Sequence, residues 1–340
     1  MKIAVDAMGG DFAPAAIVEG AVQALRDFKD IQELFLVGDE ARIRAECKRN
    51  GKLDHRITIL HASQVIEMED AAIEGIRRKK DSSVSRAVDL VKDGRAQAVV
   101  TAGHTGAAVA ATAIKLRTLE GVDRPGIATL MPTERNVFVL IDAGANIEAK
   151  PVHLLQYGIM GSVYSREMLG YRNPRVGLMS IGEEDLKGND LTRETFKLLE
   201  RSNLNFAGNV EGHDVFEGKV EVIVCDGFVG NVVLKTAESL ANALYKWLKT
   251  ELMRTPIRKA AAVMAQNAFG AIRRKTDYAE YGGAPLLGIN GVCIIGHGSS
   301  SPKAVRNAIR VARESISTQL THHIVEQIRV NRKRIDGSNA

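Results

Sequence analysis

The chain has 340 residues, 45% of them hydrophobic, and a formal net charge of +5. This length and composition predict a globular protein with a large core. No apolar run approaches the roughly 18 residues of a membrane-spanning helix. Asp6 and Asp11 interrupt the N-terminus before a signal-peptide core forms, and Cys47, Cys225 and Cys293 make no CxxC pair. We therefore expect a cytoplasmic protein without a metal site.

The positive charge is concentrated in the C-terminal third of the chain. Residues 246–275 carry eight Lys or Arg against one acid, and residues 301–340 carry eight against three acids. This distribution predicts a docking face for an acidic partner or an anionic membrane surface. Aromatic residues make up only 5% of the chain and no nucleic-acid-binding motif is present, so we expect no nucleic-acid partner.

Apolar runs alternate with helical patterns along the chain. Strands are predicted at residues 2–6, 34–37, 57–60, 98–101, 127–130, 137–141, 176–180, 220–224 and 292–295. Helices are predicted at residues 14–28, 41–49, 84–92 and 107–116, and from Pro151 and Pro302 onward. This alternation favours an α/β fold with a mostly parallel sheet covered on both faces. We expect one catalytic domain over residues 1–335, a possible hairpin between residues 127 and 141, and a disordered tail at 336–340.

The stretch from Ala98 to Ala108 combines a strand, a glycine turn and a helix. Gly103 and Gly106 permit positive φ or close approach of another group, and Thr105 suits the N-cap of the following helix. Such a turn directs backbone N–H groups and the positive end of the helix dipole at one point, which favours anion binding. The alternative is a capped βα turn without a ligand.

Similar turns follow several other predicted strands. Small polar residues and glycines occur around Asp6, His104, Asp142, Gly182, Asp226 and His297. Because ligands of parallel sheets bind outside the carboxyl ends of the strands, these turns predict a substrate cleft along one edge. The alternative is that they are only helix caps.

Residues 246–275 form a separate pattern. Apolar residues recur there mostly at spacings of three or four with Lys and Arg between them, and Pro256 opens a second helix. The pattern predicts a protruding helical hairpin that contacts a membrane or partner, and a hairpin packed into the core is the alternative. The predicted contact residues are Ile257, Arg258, Lys259, Met264, Arg273 and Arg274.

Several motifs together resemble those of the PlsX family, the acyl-acyl-carrier-protein:phosphate acyltransferases of bacterial phospholipid synthesis. They are Val5-Asp-Ala-Met-Gly-Gly-Asp11, the Ala-Gly-His-Thr-Gly-Ala turn, Asp142-Ala-Gly-Ala-Asn146, Ile181-Gly-Glu-Glu184 with Lys187-Gly-Asn189, Asp226-Gly-Phe-Val-Gly-Asn231, Tyr281-Gly-Gly-Ala284 and His297-Gly-Ser-Ser300. The resemblance extends to about residue 330. One departure is His104, where the family usually has Asn.

The resemblance implies a reaction in which an acyl-carrier-protein thioester and inorganic phosphate give acyl phosphate and free carrier. It also implies a Rossmann-like α/β/α sandwich akin to phosphotransacetylase and isocitrate-dehydrogenase-type folds, a homodimer and no organic cofactor. The enzyme would sit loosely on the inner face of the cell membrane. Its product would pass to an acyltransferase that uses acyl phosphate to acylate glycerol 3-phosphate.

The polar residues at the turns suit this chemistry. Phosphate is partly a dianion at pH 7, since its second pKa is about 7, so a strong general base is dispensable. A thiol leaves readily because its pKa is about 8.5. The site must supply anion binding, alignment and oxyanion donors. We expect Asp226, Asn231, His297 and Lys187 in catalysis, and Asp6, Gly9, Gly10, Asp11, Gly103, His104, Thr105, Gly106, Asn146, Gly298, Ser299 and Ser300 in substrate or phosphate binding.

Alternatives stay open at this point. Lys187 is either the cation for phosphate or a surface lysine, and Asp226 either orients His297, takes a proton or caps a helix. For the whole protein, the alternatives are a phosphotransacetylase-like enzyme that uses acyl-coenzyme A and a non-catalytic scaffold at the membrane. The C-terminal basic charge favours the acidic carrier protein over coenzyme A.

Overall fold

The structure, a computed structural model, describes residues 1–51, 53–276 and 278–337. Side chains of Arg273, Arg274, Thr276, Tyr278 and Asp336 lie outside the described part. In the described chain the strands are β1 (Lys2–Asp6), β2 (Glu33–Gly38), β3 (Ile57–His61), β4 (Ala98–Thr101), β5 (Gly126–Pro132), β6 (Val137–Ile141), β7 (Arg175–Met179), β8 (Asn205–Val210), β9 (Val222–Val224), β10 (Ala284–Leu287) and β11 (Val292–Ile295).

The helices fill the segments between the strands. They are α1 (Ala15–Asp27), α2 (Glu40–Arg49), α3 (Ala72–Arg78), α4 (Ser83–Lys92), α5 (Thr105–Lys115), α6 (Pro151–Leu169), α7 (Asp190–Arg201), α8 (Gly227–Leu252), α9 (Pro256–Met264), α10 (Gln266–Thr276), α11 (Tyr278–Tyr281), α12 (Pro302–Ser317) and α13 (Leu320–Gly337). The last helix continues two residues into the expected tail, and residues 338–340 lie outside the described part.

The described strands form one sheet in the order β3-β2-β1-β4-β11-β10-β5-β6-β9-β7-β8. Strands β1 to β4 and β11 are mutually parallel, as are β6 to β9. The two sets run in opposite directions, because β10 is antiparallel to β11 and β5, and β6 is antiparallel to β5. The predicted mostly parallel sheet and the predicted hairpin at residues 127–141 are therefore confirmed.

This reversal corrects the expectation of a single edge for all the glycine turns. The turns after β1, β4 and β11 lie at one end of their strands, and those after β6, β7 and β9 point the other way. The ends of β11 and β6 nevertheless lie at nearly the same level of the sheet, on either side of the central β10–β5 pair. Ile295 at the end of β11 pairs with Ala284 of β10, and Ile141 at the end of β6 pairs with Ala128 of β5.

Alternating side chains on the strands build a core on each face of the sheet. On β1, Ile3 and Val5 pack with residues of α1 and α12, whereas Ala4 packs on the opposite face with residues of α4 and α5. A third cluster joins β5, β6, β7 and β9 to α6 and α13, and a fourth lies under the first turns of α8. This arrangement is the expected α/β/α sandwich.

The predicted hairpin at residues 246–275 has a longer first arm than expected. That arm is the outer part of α8, which runs unbroken from the end of β9 to Leu252, and α9 begins at Pro256 as predicted. The two arms leave large apolar side chains exposed, with Ile257 83% and Met264 87% accessible. No described helix combines the length and hydropathy needed to span a bilayer.

Candidate active site

A cavity of about 710 Å³ lies over one face of the central β10–β5 pair. Its walls come from the turns after β1, β4 and β11 on one side and from the first turns of α8 on the other, with Ile127 and Thr129 of β5 between them. The predicted site residues that line it are Gly9, Gly10, Asp11, Gly103, His104, Thr105, Gly106, Asn231, His297 and Gly298. Sites of this size and mixed lining are typical of small-molecule binding.

The turns after β1, β4 and β11 form the first wall of the cavity, and backbone hydrogen bonds join them. The amide of Asp11 donates to the carbonyl of Gly298 at 2.8 Å, and that of Gly296 donates to the carbonyl of Thr101 at 2.7 Å. A Cβ on Gly9 would approach the amide nitrogen of Gly103 to 2.7 Å, so only glycine permits this approach. The turns therefore form one preorganised wall.

Asp6 lies beneath this wall rather than in the cavity lining. Its carboxylate accepts hydrogen bonds from the Thr101 hydroxyl at 2.7 Å and the Met8 amide at 3.2 Å. Burial raises the pKa of the Asp6 carboxyl, while the hydrogen bonds oppose that rise. The position suits a residue that holds the first two turns together, whereas the sequence analysis predicts that it touches substrate.

His104, and not Thr105, is the N-cap of α5. Its Nδ1 accepts a hydrogen bond from the amide of Ala107 at 3.2 Å. A ring nitrogen that accepts carries no proton, so the neutral imidazole holds its proton on Nε2. Thr105 is not the N-cap because it is already the first residue of the helix, whereas the backbone of His104 is extended, as is usual for an N-cap.

His297 holds its own turn in a similar way. Its Nδ1 lies 2.8 Å from the hydroxyl of Ser299 and accepts from the Ser299 amide at 3.2 Å. The hydroxyl of Ser300 donates to the carbonyl of His297 at 2.5 Å. Ser299 and Ser300 thus shape the turn, and neither lies in the cavity lining.

The turn after β6 is organised by the buried carboxylate of Asp142. Its two oxygens accept from the amides of Ile127, Gly144, Ala145 and Asn146 at 2.7–3.1 Å. Burial raises the pKa of Asp142, and the amide hydrogen bonds oppose that rise. The expected ligand Asn146 does not line the cavity.

The side chain of Asn146 is used within the protein. Its Nδ2 donates to the carbonyl of Pro125 at 2.6 Å and to the hydroxyl of Tyr157 at 2.8 Å. Burial raises the pKa of that Tyr157 hydroxyl, which stays neutral. Gly144, two residues earlier, lines the cavity and lies close to Asn231. A Cβ added at Gly144 would be 3.5 Å from the Cβ of Asn231.

The second wall of the cavity is the beginning of α8. Asp226 is its N-cap and accepts from the amides of Phe228 and Val229 at 2.9 and 3.0 Å, which favours the helix-cap alternative for this residue. Asn231, Lys235 and Glu238 line the cavity. Sequence reasoning missed Lys235 and Glu238, although their spacing of four and seven residues from Asn231 places all three on one helix face.

Lys187 lies away from the cavity. It belongs to the loop after β7, which is separated from β6 by β9 in the sheet, and its Nζ lies 3.9 Å from a carboxylate oxygen of Glu184. About half of its side chain is exposed. Its expected role as the phosphate cation stays a prediction.

Apolar side chains extend the cavity beyond the polar turns. Val65, Ile66 and Met68 come from the segment before α3, and Leu130 and Leu234 come from β5 and α8. Sequence reasoning missed the segment before α3, because it has neither a glycine turn nor a strong periodic pattern. The cavity therefore has a polar end and an apolar wall.

The cysteines are poor nucleophiles. Burial raises the pKa of the Cys225 thiol and raises that of Cys293 to about 12, and Cys47 is raised as well. None of the three lines the cavity. A covalent acyl-cysteine step has no support from these positions.

Two groups of possible metal ligands lie outside the cavity lining in the described chain. They are His322 with His323 and Glu326 on α13, and Glu183 with His213 and Asp214. The ammonium of Lys219 already lies 2.5 Å from a carboxylate oxygen of Asp214 and 3.7 Å from one of Glu183. Neither group touches the residues that face the cavity.

Solved structures define the class of this fold. The chain is similar to the EutD phosphotransacetylase from Staphylococcus aureus, with a TM-score of 0.58 and 16% identity over 94% of each chain. It is also similar to a phosphotransacetylase from Streptococcus pyogenes, with a TM-score of 0.61 and 18% identity over 95% of this chain and 94% of that one. The fold is therefore that of the phosphotransacetylases, as the resemblance implied.

The sequence comparisons give the family. The model of the family described as fatty acid synthesis protein matches residues 1–323. Curated relatives named phosphate acyltransferase include one from Pelotomaculum thermopropionicum, 51% identical over 96% of this chain and 95% of its own, and one from Pelobacter propionicus, 50% identical over 97% and 95%. The chain belongs to this family, and the resemblance to the PlsX family is confirmed.

Proposed function

We propose that the protein is an acyltransferase that moves a long-chain acyl group from acyl carrier protein to inorganic phosphate. The products are acyl phosphate and free acyl carrier protein, and the acyl phosphate feeds glycerol 3-phosphate acylation. The observation that carries the proposal is the cavity of glycine turns in a chain about 50% identical to phosphate acyltransferases over nearly its whole length.

The reaction needs no covalent enzyme intermediate. An oxygen of HPO₄²⁻ attacks the thioester carbonyl carbon, a C–O bond forms, and the C–S bond breaks. The proton of the phosphate ends on the departing thiolate, so atoms and charge balance. What the protein adds is alignment of the two reactants and donors for the tetrahedral oxyanion.

The turns after β4 and β11 suit the phosphate. The backbone amides of Thr105, Gly106 and Gly298 belong to residues that line the cavity, and the N-terminus of α5 lies there. Such amides and the helix dipole stabilise an anion. In this proposal the phosphate lies against the first wall.

Asn231 and His297 act in the chemical step. They face the cavity from opposite walls, and the proton on Nε2 of His297 is directed away from the turn that its Nδ1 holds. Both offer N–H donors to a carbonyl oxygen between them. The acyl chain runs along the apolar wall formed by Val65, Ile66, Leu130 and Leu234.

The direct test uses purified protein, palmitoyl-acyl carrier protein and phosphate. Hydroxylamine traps acyl phosphate as a hydroxamate. Because it also reacts with thioesters, the quantity measured is the hydroxamate formed with enzyme and phosphate above that formed without phosphate. Equal concentrations of palmitoyl-coenzyme A should react more slowly. A faster reaction with the coenzyme A thioester would favour the phosphotransacetylase-like alternative, and no phosphate-dependent hydroxamate from either donor would favour the scaffold.

The location and assembly of the enzyme are part of the proposal. We expect a homodimer in the cytoplasm that attaches peripherally to the inner face of the membrane, near the acyltransferase that uses its product. The exposed Ile257 and Met264, with Arg258 and Lys259 beside them, suit an anionic lipid surface. Arg273 and Arg274 are part of the same prediction.

A further inference from the structure

The charge of the cavity wall is unfavourable for a phosphate dianion. The described lining contains the acids Asp11, Glu67 and Glu238, and Lys235 is the only Lys or Arg among its residues. Amides and a helix N-terminus contribute partial positive charge. A dianion in a cavity lined by three carboxylates is repelled by their like charge, so a full positive charge in the same lining would stabilise it.

Lys235 is placed to supply that charge. It lies one helical turn after Asn231 on the same face of α8, so both side chains face the cavity. Its Nζ donates to Oε2 of Glu238 at 2.9 Å, and 51% of its side chain is exposed. The ammonium is therefore held beside Glu238 in the cavity lining and remains accessible to an entering anion.

We infer that Lys235 binds the phosphate and that Glu238 holds the ammonium of Lys235 in the cavity lining. The inference rests on the proposed function, because it names a ligand for the phosphate of that reaction. An ammonium group has three N–H donors, so Lys235 can keep its bond to Glu238 and still donate to phosphate oxygens. Lys187, the cation expected from the sequence, does not reach the lining.

A structural role for the same pair makes a different prediction. If Lys235 only ties one turn of α8 to the next, then Lys235→Met and Glu238→Gln remove the same ion pair and have the same consequence. A ligand role gives opposite consequences. Lys235→Met removes the attraction for phosphate, whereas Glu238→Gln removes a repulsion and leaves the ammonium in place.

The experiment titrates inorganic phosphate into the enzyme by calorimetry without acyl donor and measures both KM values. We expect Lys235→Met to weaken phosphate binding and raise the phosphate KM by about tenfold or more, as for loss of a charged hydrogen bond. The KM for the acyl donor should change little. Lys235→Arg should retain most of the affinity, and Glu238→Gln should bind phosphate as tightly as wild type or more tightly.

Lys246→Met is the matched control, because Lys246 lies on the exposed outer part of the same helix, outside the cavity lining. It should leave phosphate binding unchanged. The inference is overturned if Lys235→Met leaves the phosphate KM unchanged, if Lys235→Met and Glu238→Gln raise it equally, or if only Lys187→Met raises it. These results leave the proposed function intact, which fails instead if wild-type enzyme yields no acyl phosphate.

Discussion

The inner part of α8, residues 227–238, and its outer part, residues 239–252, are both amphipathic in sequence but have different surroundings in the structure. In the inner part, Val229, Val233 and Ala237 pack on the core beneath β6 and β9, and the opposite face lines the cavity. In the outer part, Leu244 and Trp247 are exposed, and so are the apolar residues of α9. Both parts have the apolar spacing of an amphipathic helix.

The difference shows that an apolar stripe predicts a contact without naming the partner. The inner stripe is covered by the sheet of its own chain, and the outer stripe is covered by nothing within the described chain. Since exposed apolar area of this extent marks an interaction surface, the outer part should serve location or assembly. Substitutions around the inner part should change turnover, and substitutions in the hairpin should change where the enzyme resides.

The largest effect is expected from the two residues assigned to the chemical step. Asn231→Ala and His297→Ala each remove a donor from the developing oxyanion, so kcat should fall by about 10² to 10³. The measurement is hydroxamate formation at saturating phosphate and acyl carrier protein. A loss smaller than about fivefold, or about 1 kcal/mol, contradicts the assigned role.

The glycine turns should show a smaller and more selective effect. Gly298→Val places its side chain toward Asp11 in the cavity, and Gly106→Val presses on the His104 ring, which a Cβ at Gly106 already approaches to 3.0 Å. Both variants should raise the phosphate KM more than the acyl-donor KM. Gly212→Val is the control, since a Cβ at Gly212 meets nothing within 4 Å. An unchanged phosphate KM in folded protein removes these turns from the phosphate site.

The order of strands explains which parts of the fold could be predicted. The bounds of β1, β6 and β11 follow from uninterrupted apolar runs that end in turns. The short β10 was missed because Ala284-Pro-Leu-Leu287 has few residues and a proline, which is unfavourable in a central strand. The reversal of the second half of the sheet depends on that strand, so the sequence predicted one edge where the structure has two.

The same reversal bears on which predicted site residues line the cavity. Gly9, His104 and Gly298 follow neighbouring parallel strands of the first half, whose turns adjoin, and all three lie in one wall of the cavity. Lys187 is next to a glycine motif in the sequence, which predicts it as the phosphate cation, but its loop follows a strand of the reversed half. Lys235 lies one helical turn beyond the glycine motif that ends at Asn231. Only the periodicity of α8 indicates that it faces the same way as Asn231, so the motif alone does not predict it.

His104 has two functions that substitution can separate: its Nδ1 caps α5, and its Nε2 is expected to donate to phosphate. Asn at this position keeps an acceptor for the Ala107 amide. Gln carries its amide one carbon farther from the backbone, so its N–H donor extends farther but its oxygen is poorly placed to cap the helix. His104→Asn should keep the thermal stability and raise the phosphate KM a few-fold, since the Nε2 donor is lost. His104→Gln should lower the free energy of unfolding by about 1 kcal/mol, the usual contribution of an N-cap. Equal melting temperatures with unchanged phosphate KM in both variants would contradict both functions.

The smallest effect on turnover, and the largest on location, is expected from the hairpin. Reversing Arg258, Lys259, Arg273 and Arg274 to Glu should release the enzyme from anionic vesicles, because each Lys or Arg near such a surface contributes about 1 kcal/mol to binding. Flotation with phosphatidylglycerol vesicles measures this release. Turnover with soluble acyl carrier protein should persist, since Arg258 and Lys259 lie outside the described cavity lining.

Two outcomes would redirect the role of the hairpin. If vesicle binding and turnover fall together, and the carrier KM rises in a salt-dependent way, the basic residues dock the acidic carrier protein instead of the membrane. Ile257→Ser with Met264→Ser removes apolar insertion and leaves the charge unchanged, so it separates the two contributions to lipid binding. If vesicle binding survives both sets of substitutions, the exposed stripe packs against a second copy of the chain. In that case the substitutions should shift the protein from dimer to monomer in sedimentation, and the contrast between the two parts of α8 becomes one between a cavity wall and a subunit interface.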